Sequence, residues 1–224
     1  FIEPVQGEGG YIPASPTFLR RLRAICDEHG ILLVMDEVQT GAGRCGAMFA
    51  HAHANVEADI ITIAKGLGGG FTIAAIIGKS DVMDGAAPGG LGSTYAGNPI
   101  TISAAHAVLD VLHEEGLFAR SMVIGEHIRA RFNAMQSKFN FITEVRGLGA
   151  MTGVEFCHEN DPHQPAADIA NALKIEAAKQ GLLLLNCGIY GNVLRVMVPL
   201  TISDATLDEG MTILENAIMQ VTKI

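Results

Sequence analysis

Two short apolar runs dominate the first half of the chain, ILLVM at 31–35 and IITIA at 60–64, and each runs into a charged residue, Asp36 and Lys65. Runs this short, rich in branched aliphatics and without alternation, suit strands buried on both faces of a parallel sheet. Before the first run, Ser15-Pro16 and TFLRRLRAICDEHG read as a punctuated helix. Ser15 can cap the free amides, Pro16 suits the first turn and Gly30 the stop. Leu19, Leu22, Ile25 and Cys26 form its apolar stripe. Helix and strand therefore alternate, as in α/β folds. After Lys65 a glycine run gives way to FTIAAIIG, which reads as another buried strand, and Asn98-Pro99 opens a long helix closed near Gly116.

Around Leu117 the pattern changes. A helix rich in charges, 118–138, leads to the strand-like EVRGLGAMTGVEF, and a polar loop, HENDPHQP, precedes a helix ending near Gly181. Short strands follow at LLLL and NVLRVMV. A last helix begins near Ser203, where Leu207, Met211, Leu214, Ile218 and Val221 repeat at helical spacing. The expected organisation is a large domain over 1–118 and a small one over 119–224. With 224 residues and 49% hydrophobic content the chain can bury cores for both.

A net charge of −9 argues against nucleic-acid and anionic-membrane partners. No apolar run approaches a membrane span, and FIEPVQGEGG lacks the pattern of a signal peptide. Cys26, Cys45, Cys157 and Cys187 are scattered without a CxxC pair. That usage fits reduced thiols and a cytoplasmic location.

Chemistry enters at the strand ends. In parallel sheets ligands sit beyond the carboxyl ends of the strands, where Asp36 and Lys65 both fall. There a lysine could form a Schiff base with pyridoxal phosphate while an aspartate holds the ring nitrogen protonated. Taken alone, Lys65 reads as a solvated charge after a strand, Asp36 as a loop cap, Thr94 as a turn hydroxyl, Glu8 as a loop carboxylate and Arg195 as a surface arginine.

Wider motifs tip the balance. DEVQTGAGRCG, DIITIAKGLGGGF and GSTYAGNP, in that order, resemble the class III (fold-type I) pyridoxal-phosphate aminotransferases. EPVQGEGG and NVLRVMVPLT are most similar to the 4-aminobutyrate aminotransferases, and the resemblance runs through the whole chain. It implies an α/β fold-type I architecture: the C-terminal part of a large, mostly parallel-sheet domain followed by a smaller α+β domain. By the same resemblance Lys65 carries the cofactor and shuttles a proton, Asp36 pairs with its pyridinium, Val38 packs on its ring and Gln39 donates to its phenolic oxygen. Thr94 would bind the cofactor phosphate of a partner subunit, implying a homodimer or dimer of dimers. Arg195 would hold the 2-carboxylate of glutamate, and Glu8 would pair with Arg195 when the substrate has no carboxylate there. The implied reaction moves the amino group of an ω-amino acid, 4-aminobutyrate foremost, to 2-oxoglutarate. Alternatives are an ornithine or acetylornithine aminotransferase, a decarboxylase or aminomutase with the same cofactor, or an incomplete fragment acting only as an interaction module. Phe1-Ile2-Glu3-Pro4 reads as the tail of a strand, so the chain is expected to be a C-terminal half without the glycine-containing phosphate loop or the aromatic residue that stacks on the cofactor.

Other patterns carry less. GAGRCG fits GxGxxG, but a dinucleotide site wants a helix opening on those glycines and an acidic residue closing the next strand, whereas Asp59 starts it. His51 and His53 lack a third ligand, and Cys157, His158, Glu159, Asp161 and His163 read as a solvated loop, so no metal is expected. Three positions depart from the family pattern. Thr72 replaces a proline after GGGF and is expected to loosen the turn behind the lysine. Cys45 replaces the threonine of GRTG, and Ser93 stands where glycine is common.

Overall fold

The computed structural model describes residues 1–221. The chain divides into two compact units. The first is 1–4 with 14–119, and the second is 120–224 together with 5–13, a segment the boundary at 118/119 assigns to the large domain. That excursion is the hairpin of β1 (Val5–Gln6) and β2 (Ile12–Pro13).

In the first unit α1 (Pro16–His29) forms as its punctuation dictates. Ser15 accepts the Phe18 amide at 3.1 Å, and Gly30 closes the helix in the left-handed region at φ 63°. Strand β3 (Val34–Asp36) pairs in parallel with β4 (Ile60–Ile63), and β4 pairs antiparallel with β5 (Ala75–Gly78). On the other side of β3, Ile2 makes a parallel bridge to Met35, so the opening residues do continue the sheet. Leu19 and Cys26 of α1 pack with Leu33, Met35, Ala54 and Val56 into one core. Three expectations need correcting. Ile25 lies outside the stripe, 43% exposed, and Ile31 and Leu32 precede the strand and are half exposed. FTIAAIIG gives a strand, β5, that pairs antiparallel with β4 and whose Ile76 and Ile77 are exposed.

A short helix α2 (Ser80–Met83) follows β5, and α3 (Pro99–Glu114) is capped by Asn98, whose side chain accepts the Ile100 amide at 2.9 Å. Gly69 explains part of the glycine run. Its φ is 56° and a Cβ there would sit 2.8 Å from Val108 of α3, so it is the helix that requires this glycine.

Asp59, just before β4, ties this unit together. Its carboxylate accepts the Leu33 amide (2.7 Å) and pairs with Arg23 of α1 (2.7 Å) and Lys79 beyond β5 (2.8 Å). Burial alone would raise its pKa. The Leu33 amide, Lys79 and Arg23 outweigh burial and hold the carboxyl far below its usual range. The stability this contributes is complete above the unfolded carboxyl's pKa, about 3.9, and is lost as pH falls through the lower folded value. Asp59→Asn should cost about 2–4 kcal/mol at neutral pH. Urea unfolding at pH 7 and pH 3 should show the gap from the parent narrowing at the lower pH.

The second unit continues with α4 (Leu117–Gln136), which begins at the end of the first. The strand-like stretch is a hairpin: β6 (Ile142–Leu148) and β7 (Met151–Phe156) turn at Gly149-Ala150, with Gly149 at φ 54°. Helix α5 (Ala167–Lys179), β8 (Leu185–Cys187), β9 (Val193–Val196) and α6 (Asp204–Val221) complete the order. The antiparallel sheet runs β6-β7-β9-β8. Leu207, Met211, Leu214 and Ile218 are buried along α6, as the periodicity predicts. Among the described residues no helix is long and apolar enough to cross a membrane.

Candidate active site

Parallel pairing of β3 and β4 brings both charged residues to the same end of the first unit's sheet. Asp36 is the last residue of β3 and lies opposite Thr62; Lys65 stands two residues past the end of β4. Half-buried Asp36 accepts the Val38 amide (3.0 Å) and the Thr62 hydroxyl (3.2 Å), both on Oδ1. Among the described residues none donates to Oδ2, which leaves one carboxylate oxygen for a cationic ring N–H. Thr62 is a hydrogen-bond partner of Asp36 that the motifs do not single out. The only signal for it was a lone hydroxyl in an apolar run.

Lys65 opens the 3₁₀ turn Lys65–Gly68 at φ 42°, a conformation that costs a non-glycine residue about 1–3 kcal/mol. Among the described residues none bonds its Nζ, and the residue borders a cleft of about 880 Å³. Phe71, Thr72, Ser93 and Tyr95 line the same cleft, while Asp36, Val38, Gln39 and Thr94 are outside its lining. Gly70, at φ 110° with open space where a Cβ would stand, leaves one wall free for a ligand. Thr94 is exposed in the turn 94–97, between Ser93 and Tyr95. An unpaired amine over a roomy cleft and an open carboxylate oxygen at the neighbouring strand end fit an aldehyde-bearing pyridine.

The chain after Asp36 is held from behind. Glu37 is fully buried, and its carboxylate accepts the Thr40 hydroxyl, the Ala50 amide (2.9 Å), the His51 amide (2.9 Å) and His51 Nδ1 (2.7 Å). Burial raises its pKa, but those bonds outweigh burial and keep it lowered, so the turn carrying Val38 and Gln39 is fastened to the 3₁₀ helix Ala50–Ala54 by an ionised carboxylate. The chain turns at Val38 rather than running on extended, so Val38 is placed by its amide bond to Asp36. GAGRCG lies in turns with no helix opening on it. Cys45 within it is buried, its thiol pushed up to about 12 by burial and then by Glu37. His53 Nε2 bonds the Cys45 carbonyl at 2.8 Å, and His158 pairs with Asp168 at 3.0 Å. Among the described residues no group of three or more metal-ligating side chains converges.

The second unit brings together the other two candidates, 187 residues apart in sequence. Arg195 Nη1 donates to Glu8 Oε1 at 2.5 Å, with the arginine side chain 17% and the glutamate 71% exposed. Gly188 donates its amide to the Glu8 carbonyl at 2.9 Å, so the backbone at Glu8 is fixed while its side chain stands in solvent.

A family model described as Aminotransferase class-III matches residues 1–218. The 5-aminovalerate aminotransferase DavT of Pseudomonas aeruginosa is 51% identical over 95% of this chain and 50% of that protein. The 4-aminobutyrate aminotransferase GabT of Escherichia coli is 48% identical over 95% of this chain and 50% of its own length. Among solved structures, the ornithine aminotransferase from Toxoplasma gondii covers all of this chain with 51% of its own, at 32% identity and a TM-score of 0.90. The N-acetylornithine aminotransferase from Stenotrophomonas maltophilia covers 99% with 56% of its own, at 37% identity and a TM-score of 0.86. The chain spans about half the length of the curated relatives it matches.

Proposed function

The chain belongs to the class III aminotransferases, and from that premise we propose that the whole protein moves the amino group of an ω-amino acid, 4-aminobutyrate or its one-carbon-longer homologue, to 2-oxoglutarate. The observation that carries the choice of donor is the Glu8–Arg195 pair, in which a carboxylate of the protein already occupies the arginine that would grip a substrate carboxylate beside the reacting carbon. An ω-amine has no carboxylate there, the δ-amine of ornithine included, so the pair sets the class of donor and the relatives guide the choice within it. Relatives named for 5-aminovalerate and 4-aminobutyrate support the same donor class.

Pyridoxal 5'-phosphate is the cofactor of the family, and when bound it supplies an aldehyde and an electron sink for charge developing at the amine carbon. Lys65 would hold it through Nζ, and Asp36 would hold the proton of its ring nitrogen through Oδ2. Val38 would pack on the ring, and Gln39 would donate to the phenolic oxygen. Once the donor's amine has displaced it, Lys65 Nζ would be free to take the proton from the donor's amine-bearing carbon, a general-base role for which the cleft beside it leaves room. Arg195 holds the carboxylate of glutamate or 2-oxoglutarate, for which a planar guanidinium is the best-shaped side chain.

The reading includes a dimer in which Thr94 serves the partner's cofactor phosphate. Exposed Thr94 and the exposed apolar side chains Leu91, Tyr95 and Ile100 nearby in sequence support it. Four free, buried cysteines suit a cytoplasmic location. A second reading, an ornithine or acetylornithine donor, is favoured by the solved structures. A donor panel on the whole protein with 2-oxoglutarate decides: 4-aminobutyrate or 5-aminovalerate should exceed ornithine and acetylornithine at least tenfold in kcat/KM, and the reverse order would overturn the reading.

A further inference from the structure

The pairing register of the second unit's sheet places Arg146 opposite Gly153 and Gly153 opposite Arg195. Residues directly opposite one another share a face. Two arginines on one face thus flank a position without a side chain, their backbones about 10 Å apart across two strand spacings. Into this gap comes the loop that carries Glu8. Arg146 Nε donates to the Gly10 carbonyl at 3.0 Å, and a Cβ at Gly153 would lie 2.9 Å from Tyr11 Cβ and 3.2 Å from that same carbonyl. Tyr11 is completely buried, and its hydroxyl donates to Met197 Sδ at 3.3 Å. Arg146 is itself anchored by Glu144 (2.6 Å) and Glu155 (2.5 Å), with 9% of its side chain exposed.

We propose that Arg146 and Gly153 are specificity-setting positioning residues: together they seat the loop 7–11 so that Glu8 meets Arg195 at closing distance. Neither touches the reacting atoms. Arg146 fixes the loop by its carbonyl, Gly153 gives it depth, and the Gly188 amide fixes the backbone at Glu8 itself. With the backbone so held, it is the Glu8 side chain that meets Arg195. Pre-arranging it favours donors that leave Arg195 without a substrate carboxylate, because the loop's ordering is complete before the donor arrives. The inference rests on the proposed role of Glu8 and adds the residues that set how well Glu8 performs it.

Gly153→Ala is the cleaner test. Gly153 has no positive φ, so alanine is tolerated by the backbone, and the added methyl presses hardest on the loop, at Tyr11 and the Gly10 carbonyl, with a lesser contact to Val193 that the Glu8→Ala background controls for. Arg146→Met is the companion, removing the grip on Gly10. In the whole protein loaded with cofactor, single-turnover rates are measured separately with 4-aminobutyrate and with glutamate. Each variant should slow the 4-aminobutyrate half-reaction about 5- to 20-fold more than the glutamate half-reaction, and in a Glu8→Ala background the same substitutions should leave the ratio unchanged. Equal loss in both halves, or a ratio shift that persists without Glu8, would overturn the seat and mark the residues as merely structural. If Glu8→Ala shifts the ratio but Gly153→Ala does not, the seat alone falls. If Glu8→Ala itself leaves the ratio untouched, the reading of Glu8 falls and takes the seat with it. Should Arg146→Met fail to fold, Gly153→Ala carries the test alone.

Discussion

Lys65→Ala in the whole protein is expected to lower turnover by about three orders of magnitude or more, since it removes both the group that holds the cofactor and the general base. Borohydride reduction followed by peptide mapping should place the cofactor on Lys65 in the parent, and a label elsewhere, or an active Lys65→Ala variant, would reject the assignment. Stability should move the other way. Lys65 sits at φ 42°, where a side chain strains the backbone and glycine does not. Lys65→Gly should therefore unfold at the same or a slightly higher urea concentration, a gain of up to about 1 kcal/mol, while losing the same activity. Strain at a residue whose side chain makes no bond among the described residues is consistent with the proposed role of Lys65. If Lys65→Gly were clearly destabilised, that part of the argument would fail.

How much of this was legible in the sequence depends on the range of the interaction. Helix α1 is set by residues within one turn of its ends, and Ser15, Pro16 and Gly30 act as read. The apolar runs located β3 and β4, and their parallel pairing put Asp36 and Lys65 at one end of a sheet, as the strand-end argument required. The misplaced features depend on distant neighbours. A run of apolar residues at 71–78 does not reveal that β5 pairs antiparallel, nor that Ile76 and Ile77 stand exposed. EVRGLGAMTGVEF reads as strand, but where it turns is set by its glycines, Gly147 at φ 148° and Gly149 at φ 54°. Nor does sequence show why Gly69 must be glycine, since Val108, 39 residues on, decides it.

The candidate site was read from its motifs, and the residues that support it carry none. Thr62, Arg146 and Gly153 carry no motif of their own; they matter because register sets them beside Asp36, the Gly10 carbonyl and Arg195. Glu37 reads as the off-face neighbour of Asp36, yet its four bonds fasten the turn that positions Val38 and Gln39. Each of these partners is fixed by pairing across the sheet or by a loop folding back, distances in sequence that periodicity does not reach.

The second large effect concerns Glu8 and Arg195, and its size follows from where water is. The pair is open to solvent on the Glu8 side, so Glu8→Ala should change stability by less than about 1 kcal/mol. With an ω-amine bound, the substrate displaces that water, and an Arg195 without Glu8 would face apolar carbons unpaired. Leaving a charged group without its partner in such a setting costs about 2–3 kcal/mol, roughly a 30- to 150-fold loss in the ω-amine half-reaction. The glutamate half-reaction should change little, because there the substrate's own carboxylate takes Arg195 and Glu8 must move aside. That movement costs little, since Arg195 spends one N–H on Glu8 and keeps the others for the newcomer. Arg195→Ala should reverse the pattern, lowering rates with glutamate and 2-oxoglutarate about 10- to 100-fold through loss of a charge-assisted contact, with less effect on the ω-amine. Stopped-flow measurement of each half-reaction in the two variants separates the cases. Equal losses in both halves for Glu8→Ala would reject the exchange of partners at Arg195, and with it the reason for preferring an ω-amine donor.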